Sequence, residues 1–310
     1  MAIDANQQPA AADAGQQPTA DTGAKKHVPT DYKRDLKPVW CTGCGDFGVL
    51  QSIYRALAEL DILPEDVGII SGIGCSSRLP GYVNTYGFNS LHGRALPIAQ
   101  GLKLARPEIT VLAVGGDGDG ISIGMGHFPH AARRNVNMTY IMMDNFIYGL
   151  TKGQVSPTTP KGDTTVSTPF TSIDSPLDPV KLALAFNVSF IARAFAGDLK
   201  HMTDMVKSAI EHKGFSFVHA LSPCPTFRGM DEFKRIRAAV NYVEPSAEEL
   251  ASKAAAFARE EEFVGKINLG ILYRAARSTY EEETQLVRER SLKSRGRAPQ
   301  MQELLGEFMP

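Results

Sequence analysis

Four cysteines in 310 residues are too few for a disulfide framework. No apolar run reaches the roughly 20 residues that a bilayer-spanning helix needs. The N-terminus lacks a basic segment followed by an apolar core, so no secretory signal is expected and the expected location is cytoplasmic. An excess of either charge is missing too. Thirty-three Lys and Arg stand against thirty-four Asp and Glu, a net charge of -1, without the basic surplus of a nucleic-acid binder. Neither a membrane nor a nucleic acid is therefore an expected partner.

What is present is a globular composition, 43% apolar and 22% charged, enough for a substantial core. Residues 1–30 are mostly Ala, Gln, Asp, Pro and Gly with little to bury, and are expected to be a disordered tail. Residues 31–243 form the expected folded body. In it, apolar β-type runs at Val67–Ser71, Thr110–Val114, Met138–Met143 and Phe215–Leu221 alternate with amphipathic stretches at Gly48–Leu60, Ala95–Ala105 and Leu199–Glu211. That alternation predicts an α/β fold with a mostly parallel, doubly wound sheet. Residues 244–310 change character. Ser246 and Glu249 form a capping box before an Ala- and Glu-rich helix. From Lys266 the chain is charged with few apolar anchors, and either a helix followed by an extended arm on a partner subunit or a loose tail is expected.

The run Val111–Val114 leads into Gly115-Gly116-Asp117-Gly118-Asp119-Gly120, and the next strand ends at Asp144-Asn145. Both segments leave the sheet at C-terminal strand ends, where open α/β sheets bind ligands. A carboxylate and an amide oxygen emerging side by side suit a hard cation such as Mg²⁺ that also holds phosphate oxygens. The glycines let the backbone approach a diphosphate, and the helix after Gly120 offers free N–H groups to it. The plain alternative is a tight strand-to-helix turn. A dinucleotide fingerprint is excluded, because Ile123 stands where a Gly or Ala is required. The lysine of a phosphate-binding P-loop is absent as well. The Gly-Asp-Gly with Asn at this distance resembles the thiamine-diphosphate motif, in which the backbone carbonyl two residues past the Asn, here Ile147, completes the cation shell.

Cys41-Thr42-Gly43-Cys44 stands at the start of a helix, and Cys75 and Cys224 follow the strands Val67–Ser71 and Phe215–Leu221. A solitary cysteine is ordinarily a small core residue, but each of these has a nearby Gly or Pro, a loop context. Four thiolates match a structural Zn²⁺ or a [4Fe–4S] cluster. Spacing does not choose between them; placement on the same sheet edge as the cation loop favours the cluster. No further cysteine run exists to hold a second one.

These segments belong to longer runs. Trp40-Cys41-Thr42-Gly43-Cys44-Gly45-Asp46, Gly72-Ile73-Gly74-Cys75-Ser76-Ser77-Arg78, His92-Gly93-Arg94-Ala95, Gly116-Asp117-Gly118-Asp119 and Asp144-Asn145-Phe146-Ile147-Tyr148-Gly149-Leu150-Thr151-Lys152-Gly153-Gln154 with Ser156-Pro157-Thr158 follow in order. Over roughly residues 31–243 the chain resembles the β subunit of 2-oxoacid:ferredoxin oxidoreductases, most closely the 2-oxoglutarate (2-oxoglutarate synthase) branch. The resemblance implies a thiamine-diphosphate-binding domain of the diphosphate type. The implied reaction is reversible oxidative decarboxylation of a 2-oxoacid with coenzyme A, electrons passing through one [4Fe–4S] cluster to ferredoxin. It implies Cys41, Cys44, Cys75 and Cys224 as cluster ligands. Asp117, Asn145 and the Ile147 carbonyl become Mg²⁺ ligands, and Gly116, Gly118, Asp119, Gly149 and Leu150 join the cofactor site. It also implies a larger α subunit that supplies the pyrimidine-binding and coenzyme A functions, in an αβ pair that is doubled.

Three further polar residues are candidates. Arg78 is either a solvated charge or, as the resemblance implies, a partner for the substrate, its planar fork suiting a carboxylate. His92, in His-Gly-Arg-Ala at a helix start, is expected to face the cofactor rather than fill the core. Lys152 is either a surface charge or a contact for the substrate or coenzyme A. Competing readings are pyruvate or broad 2-oxoacid specificity, a non-redox thiamine lyase subunit with structural zinc, and a zinc-stabilised interaction module.

Overall fold

The computed structural model describes residues 26–262, 265–295 and 300–307. Most of the expected N-terminal tail, through residue 25, lies outside the described residues. Eight strands form one sheet: β1 (Val67–Ser71), β2 (Tyr86–Asn89), β3 (Thr110–Gly116), β4 (Met138–Asp144), β5 (Phe190–Phe195), β6 (Phe215–Leu221), β7 (Val240–Tyr242) and β8 (Ile267–Arg274), in the order β2-β1-β3-β4-β6-β5-β8-β7. All pairings from β2 across to β5 are parallel. β8 joins β5 antiparallel and carries β7 alongside.

The middle strands β4, β5 and β6 are buried along every residue, as strands covered on both faces must be. Their side chains divide with the pleat. Leu112, Val114, Ile141, Met143 and Val218 face a core shared with α1 (Asp46–Glu59) and a helix at Leu199–Glu211. Ala113, Tyr140, Met142, Phe215 and Phe217 face a second core, shared with helices at Ala95–Ala105, Phe128–Arg134 and Pro179–Ala185. Helices on both faces of a parallel sheet make the fold doubly wound.

The C-terminal segment differs from its expectation. The capping box forms, Ser246 N–H donating to Glu249 Oε2 at 2.8 Å and Glu249 N–H to Ser246 Oγ at 3.3 Å. After the helix Lys253–Glu262, however, the chain returns to the sheet as β8 instead of leaving as an arm. Leu269, Leu272 and Tyr273 are buried there. The cause is local: Ile267 to Tyr273 is a mostly apolar β-type run, broken only by Asn268 and Gly270, set inside a charged stretch, and averaging over the stretch hides it. A helix follows at Tyr280–Arg295, and its described side chains are mostly exposed. No helix among the described residues is long and apolar enough to cross a membrane.

Candidate active site

Parallel pairing of β3 with β4 sets Gly116 opposite Met143, so Asp117 and Asp144 leave the sheet as neighbours. Both carboxylates are buried. Thr158 Oγ1 lies 2.6 Å from Asp117 Oδ2 and 2.8 Å from Asp144 Oδ1. A hydroxyl has one proton to donate, so two buried carboxylates compete for a single donor. Burial and then the charge of Asp144 push Asp117 upward from the ordinary carboxylate range, and burial pushes Asp144 upward too. A divalent cation at Asp117 supplies the missing positive charge and reverses that preference. The donor set therefore fits a hard cation.

The following turn is built to present Asn145 and Ile147. Phe146 sits in the left-handed region at φ 60°, held by its N–H to Asp144 Oδ1 at 2.9 Å and by Thr159 Oγ1 donating to its carbonyl at 2.7 Å. Ile147 N–H closes the turn on Asn145 Oδ1 at 3.1 Å. Strain of this kind persists only where the surroundings over-determine it. Gly116, Asp117, Gly118, Asp119, Asn145, Ile147, Gly149 and Leu150 all line one cavity of about 110 Å³, with His92 beside them. A Cβ at Gly118 would stand 2.1 Å from the Tyr148 ring, so only glycine lets Tyr148 close over the loop.

Asp119 lines the cavity, and its carboxylate is taken up by protein donors. Oδ1 accepts from Ile73 N–H at 2.9 Å, Gly93 N–H at 2.7 Å and His92 Nδ1 at 2.7 Å. It thus ties its own loop to those at Ile73 and at His92-Gly93. The contact with Asp119 fixes the His92 ring at the cavity wall through Nδ1.

The four cysteines come from three separate stretches and line a second cavity of about 300 Å³, together with Arg78 and Lys152. Cys75, Asn145, Gly149 and Leu150 border both cavities. The start of α1 docks on the loop after β6: Gly45 N–H donates to the Pro223 carbonyl at 3.0 Å, and Ser222 Oγ donates to Asp46 Oδ1 at 2.5 Å. Trp40 Nε1 donates to the Cys75 carbonyl at 2.7 Å and fixes the third stretch. Gly149 faces the cysteines, its absent Cβ 3.6 Å from Cys75 Sγ and 3.9 Å from Cys224 Sγ. Burial, then the neighbouring Asp46 charge, pushes the Cys75 thiol up to about 11 and Cys44 higher still. Thiols so placed ionise when iron or another cation offsets their charge. Among the described residues, no three His, Cys, Asp or Glu side chains converge on a single-ion position.

Sequence reasoning missed two residues under this site. His219 Nε2 lies 2.9 Å from Asp144 Oδ2, and Arg193 Nε donates to His219 Nδ1 at 3.0 Å. Their signal was a basic side chain inside an otherwise apolar strand. Thr158 and Asp144 stood within recognised runs, without a role.

The chain matches two families. Residues 72–220 match the thiamine pyrophosphate enzyme C-terminal TPP binding domain, and residues 224–289 match the C-terminal family of the pyruvate ferredoxin oxidoreductase β subunits. It is 42% identical over 268 residues to subunit β of 2-oxoacid:ferredoxin oxidoreductase 2 of Aeropyrum pernix, spanning 83% of this chain and 87% of that one. It is 39% identical to the 2-oxoglutarate synthase subunit KorB of Methanocaldococcus jannaschii, over 79% of this chain and 91% of the relative. A solved 2-oxoglutarate:ferredoxin oxidoreductase from Magnetococcus marinus, with 2-oxoglutarate, coenzyme A and succinyl-CoA bound, superposes with a TM-score of 0.87 at 41% identity. That superposition covers 92% of this chain and 97% of the other. With this identity along most of its length, and a thiamine-binding domain at its centre, the chain belongs to the β subunits of the 2-oxoacid:ferredoxin oxidoreductases.

Proposed function

We propose that the chain is the cofactor-bearing half of an enzyme that converts 2-oxoglutarate and coenzyme A to succinyl-CoA and CO₂. Two electrons leave one at a time for two oxidised ferredoxins, one proton is released, and the reverse carboxylation uses the same site. One observation carries the reading. Four cysteines from separate parts of the chain line a cavity whose wall, at Cys75, Asn145, Gly149 and Leu150, is also the wall of the Asp117 cavity. A redox centre in the one is then adjacent to a cofactor in the other.

Asp117, Asn145 and the Ile147 carbonyl would hold Mg²⁺, and Gly116 and Gly118 would approach the diphosphate. Cys41, Cys44, Cys75 and Cys224 would hold one [4Fe–4S] cluster. The position of the thiols against the wall of the Asp117 cavity favours a redox cluster over a structural zinc. Thiamine diphosphate, when bound, supplies the electron sink for decarboxylation. The chain's own part is to orient it, to hold the His92 ring at the wall through Asp119, and to place Arg78 and Lys152 near the anionic substrate and coenzyme A. Both cations lie exposed at the rim of the cysteine cavity. A larger α subunit would complete the site.

The test is turnover of the co-expressed αβ complex with 2-oxoglutarate and with pyruvate, using a viologen acceptor. Coenzyme A-dependent reduction that favours 2-oxoglutarate, with the preference reduced in Arg78→Lys, supports the reading. A preference for pyruvate, or an equal loss on both substrates in Arg78→Lys, would refute the assigned specificity.

A further inference from the structure

The sheet carries a line of buried polar groups that runs across the strands on one face. Arg193 on β5 pairs with His219 on β6, and His219 pairs with Met142 on β4. Asp144, two residues beyond Met142, therefore projects to the same face. The contacts are continuous. Arg193 Nε donates to His219 Nδ1 at 3.0 Å, which leaves the His219 proton on Nε2, directed at Asp144 Oδ2 2.9 Å away. Asp144 Oδ1 meets Thr158 Oγ1 at 2.8 Å, and Thr158 meets Asp117 Oδ2 at 2.6 Å. At the far end Arg193 Nη1 donates to Glu260 Oε2 at 2.8 Å, in the helix Lys253–Glu262. Asp144 is 0% exposed, His219 3% and Arg193 6%.

A buried charged chain is a poor way to gain stability. Well-packed apolar side chains of similar volume commonly do as well or better. What it does supply is orientation. Partners behind a metal ligand fix its rotamer, and removing one typically costs about 10–100-fold in metal affinity. We propose that His219 and Arg193 are positioning residues for the cation site, fixing Asp117 through Asp144 and Thr158. On this proposal the C-terminal helix, through Glu260, anchors the cation ligands from the opposite end of the line.

The inference rests on the cation reading above, so the test separates the two. The co-expressed αβ complex is stripped of divalent cation and thiamine diphosphate. Mn²⁺ binding is then titrated by its EPR signal with thiamine diphosphate added back. Wild-type complex should bind Mn²⁺ in a diphosphate-dependent way; absence of such binding overturns the cation reading and the relay with it. Given wild-type binding, Thr158→Val and His219→Leu should each weaken Mn²⁺ about 10-fold or more. His219→Gln, which keeps one donor and one acceptor, should recover most of the loss. A merely structural histidine would not show that recovery in cation affinity. Unchanged affinity in His219→Leu overturns the relay alone. Should His219→Leu fail to fold, the pair Thr158→Val and Glu260→Gln decides. Losses in the double variant that are clearly smaller than the product of the single losses support coupling along the line. Losses that multiply, as for independent distant sites, overturn it.

Discussion

Gly45→Ala sets two effects of opposite sign against each other at the join between the first cysteine pair and Cys224. Gly45 has φ -60° and ψ -26°, a conformation alanine adopts freely. Alanine should therefore gain about 0.4–1 kcal/mol by restricting the unfolded chain. The space is not there. An added Cβ would stand 2.6 Å from the Ser222 carbonyl carbon and 2.7 Å from both Ser222 Cα and Pro223 N. These are backbone atoms that cannot rotate aside. To reach ordinary carbon contact the two segments must part by about 0.8 Å or more. Overpacking of this kind costs about 1–3 kcal/mol. Stretching the Gly45 to Pro223 hydrogen bond removes about 1 kcal/mol more. The clash wins, with a net loss of about 1–4 kcal/mol.

The consequence for the cysteines should be larger than the stability loss. Cys44 precedes Gly45 and Cys224 follows Pro223, so the clash separates two proposed ligands. Metal–ligand distances tolerate only about 0.2 Å. Anaerobically purified Gly45→Ala complex is therefore expected to lose most of its iron, acid-labile sulfide and visible absorbance, while its melting temperature falls only a few degrees. Gly101→Ala is the control. It lies in the helix Ala95–Ala105 with nothing beyond the backbone of its own helical turn within 4 Å of its added Cβ, and should gain about 0.5–1 kcal/mol with iron unchanged. Full iron content and an undiminished melting temperature in Gly45→Ala would refute the reasoning.

Asp117→Ala should weaken Mg²⁺-dependent thiamine diphosphate binding at least 10-fold, since a hard ion loses its carboxylate; equilibrium binding at normal affinity would move the site elsewhere. Cys75→Ala should lose iron and colour while retaining more of its cofactor binding, because three thiolates leave the cluster open; full colour would show the ligand set to be wrong. His212 is held down to about 4 by burial and the nearby Arg274 charge, with Ser189 Oγ 2.9 Å from its Nε2. The unfolded chain takes up this proton first, near pH 6.5. Stability due to His212 is thus present above pH 6.5 and is lost as pH falls toward 4. Denaturant unfolding at pH 7.5 and 4.5 should show wild type losing more stability than His212→Gln; equal losses would contradict this.

What could be read in advance was whatever chemistry is local in sequence. Asp117 and Asn145 sit at the ends of two strong apolar runs, so their meeting needed only the assumption that β3 and β4 are parallel neighbours. The cysteines could be read because each lies in a Gly- or Pro-marked loop after a helix start or a strand end. β8 could not, because a seven-residue segment with five apolar side chains inside a charged region carries little weight in an average. β5, Phe190–Phe195, was missed for a related reason: Arg193 interrupts the alternation that marks a strand. That same arginine shows why the underlying polar line stayed hidden. Its members at 117, 144, 158, 193, 219 and 260 share no motif or period. They become neighbours only through the order β3-β4-β6-β5 and its register. A basic residue inside a buried strand signals in the sequence only that a partner must exist, since an unpaired buried charge is too costly to keep. For His219 and Arg193 the partners were the proposed cation ligand's own neighbour and a C-terminal helix. Strands that look purely structural in the sequence are therefore where the support of such a site should be sought.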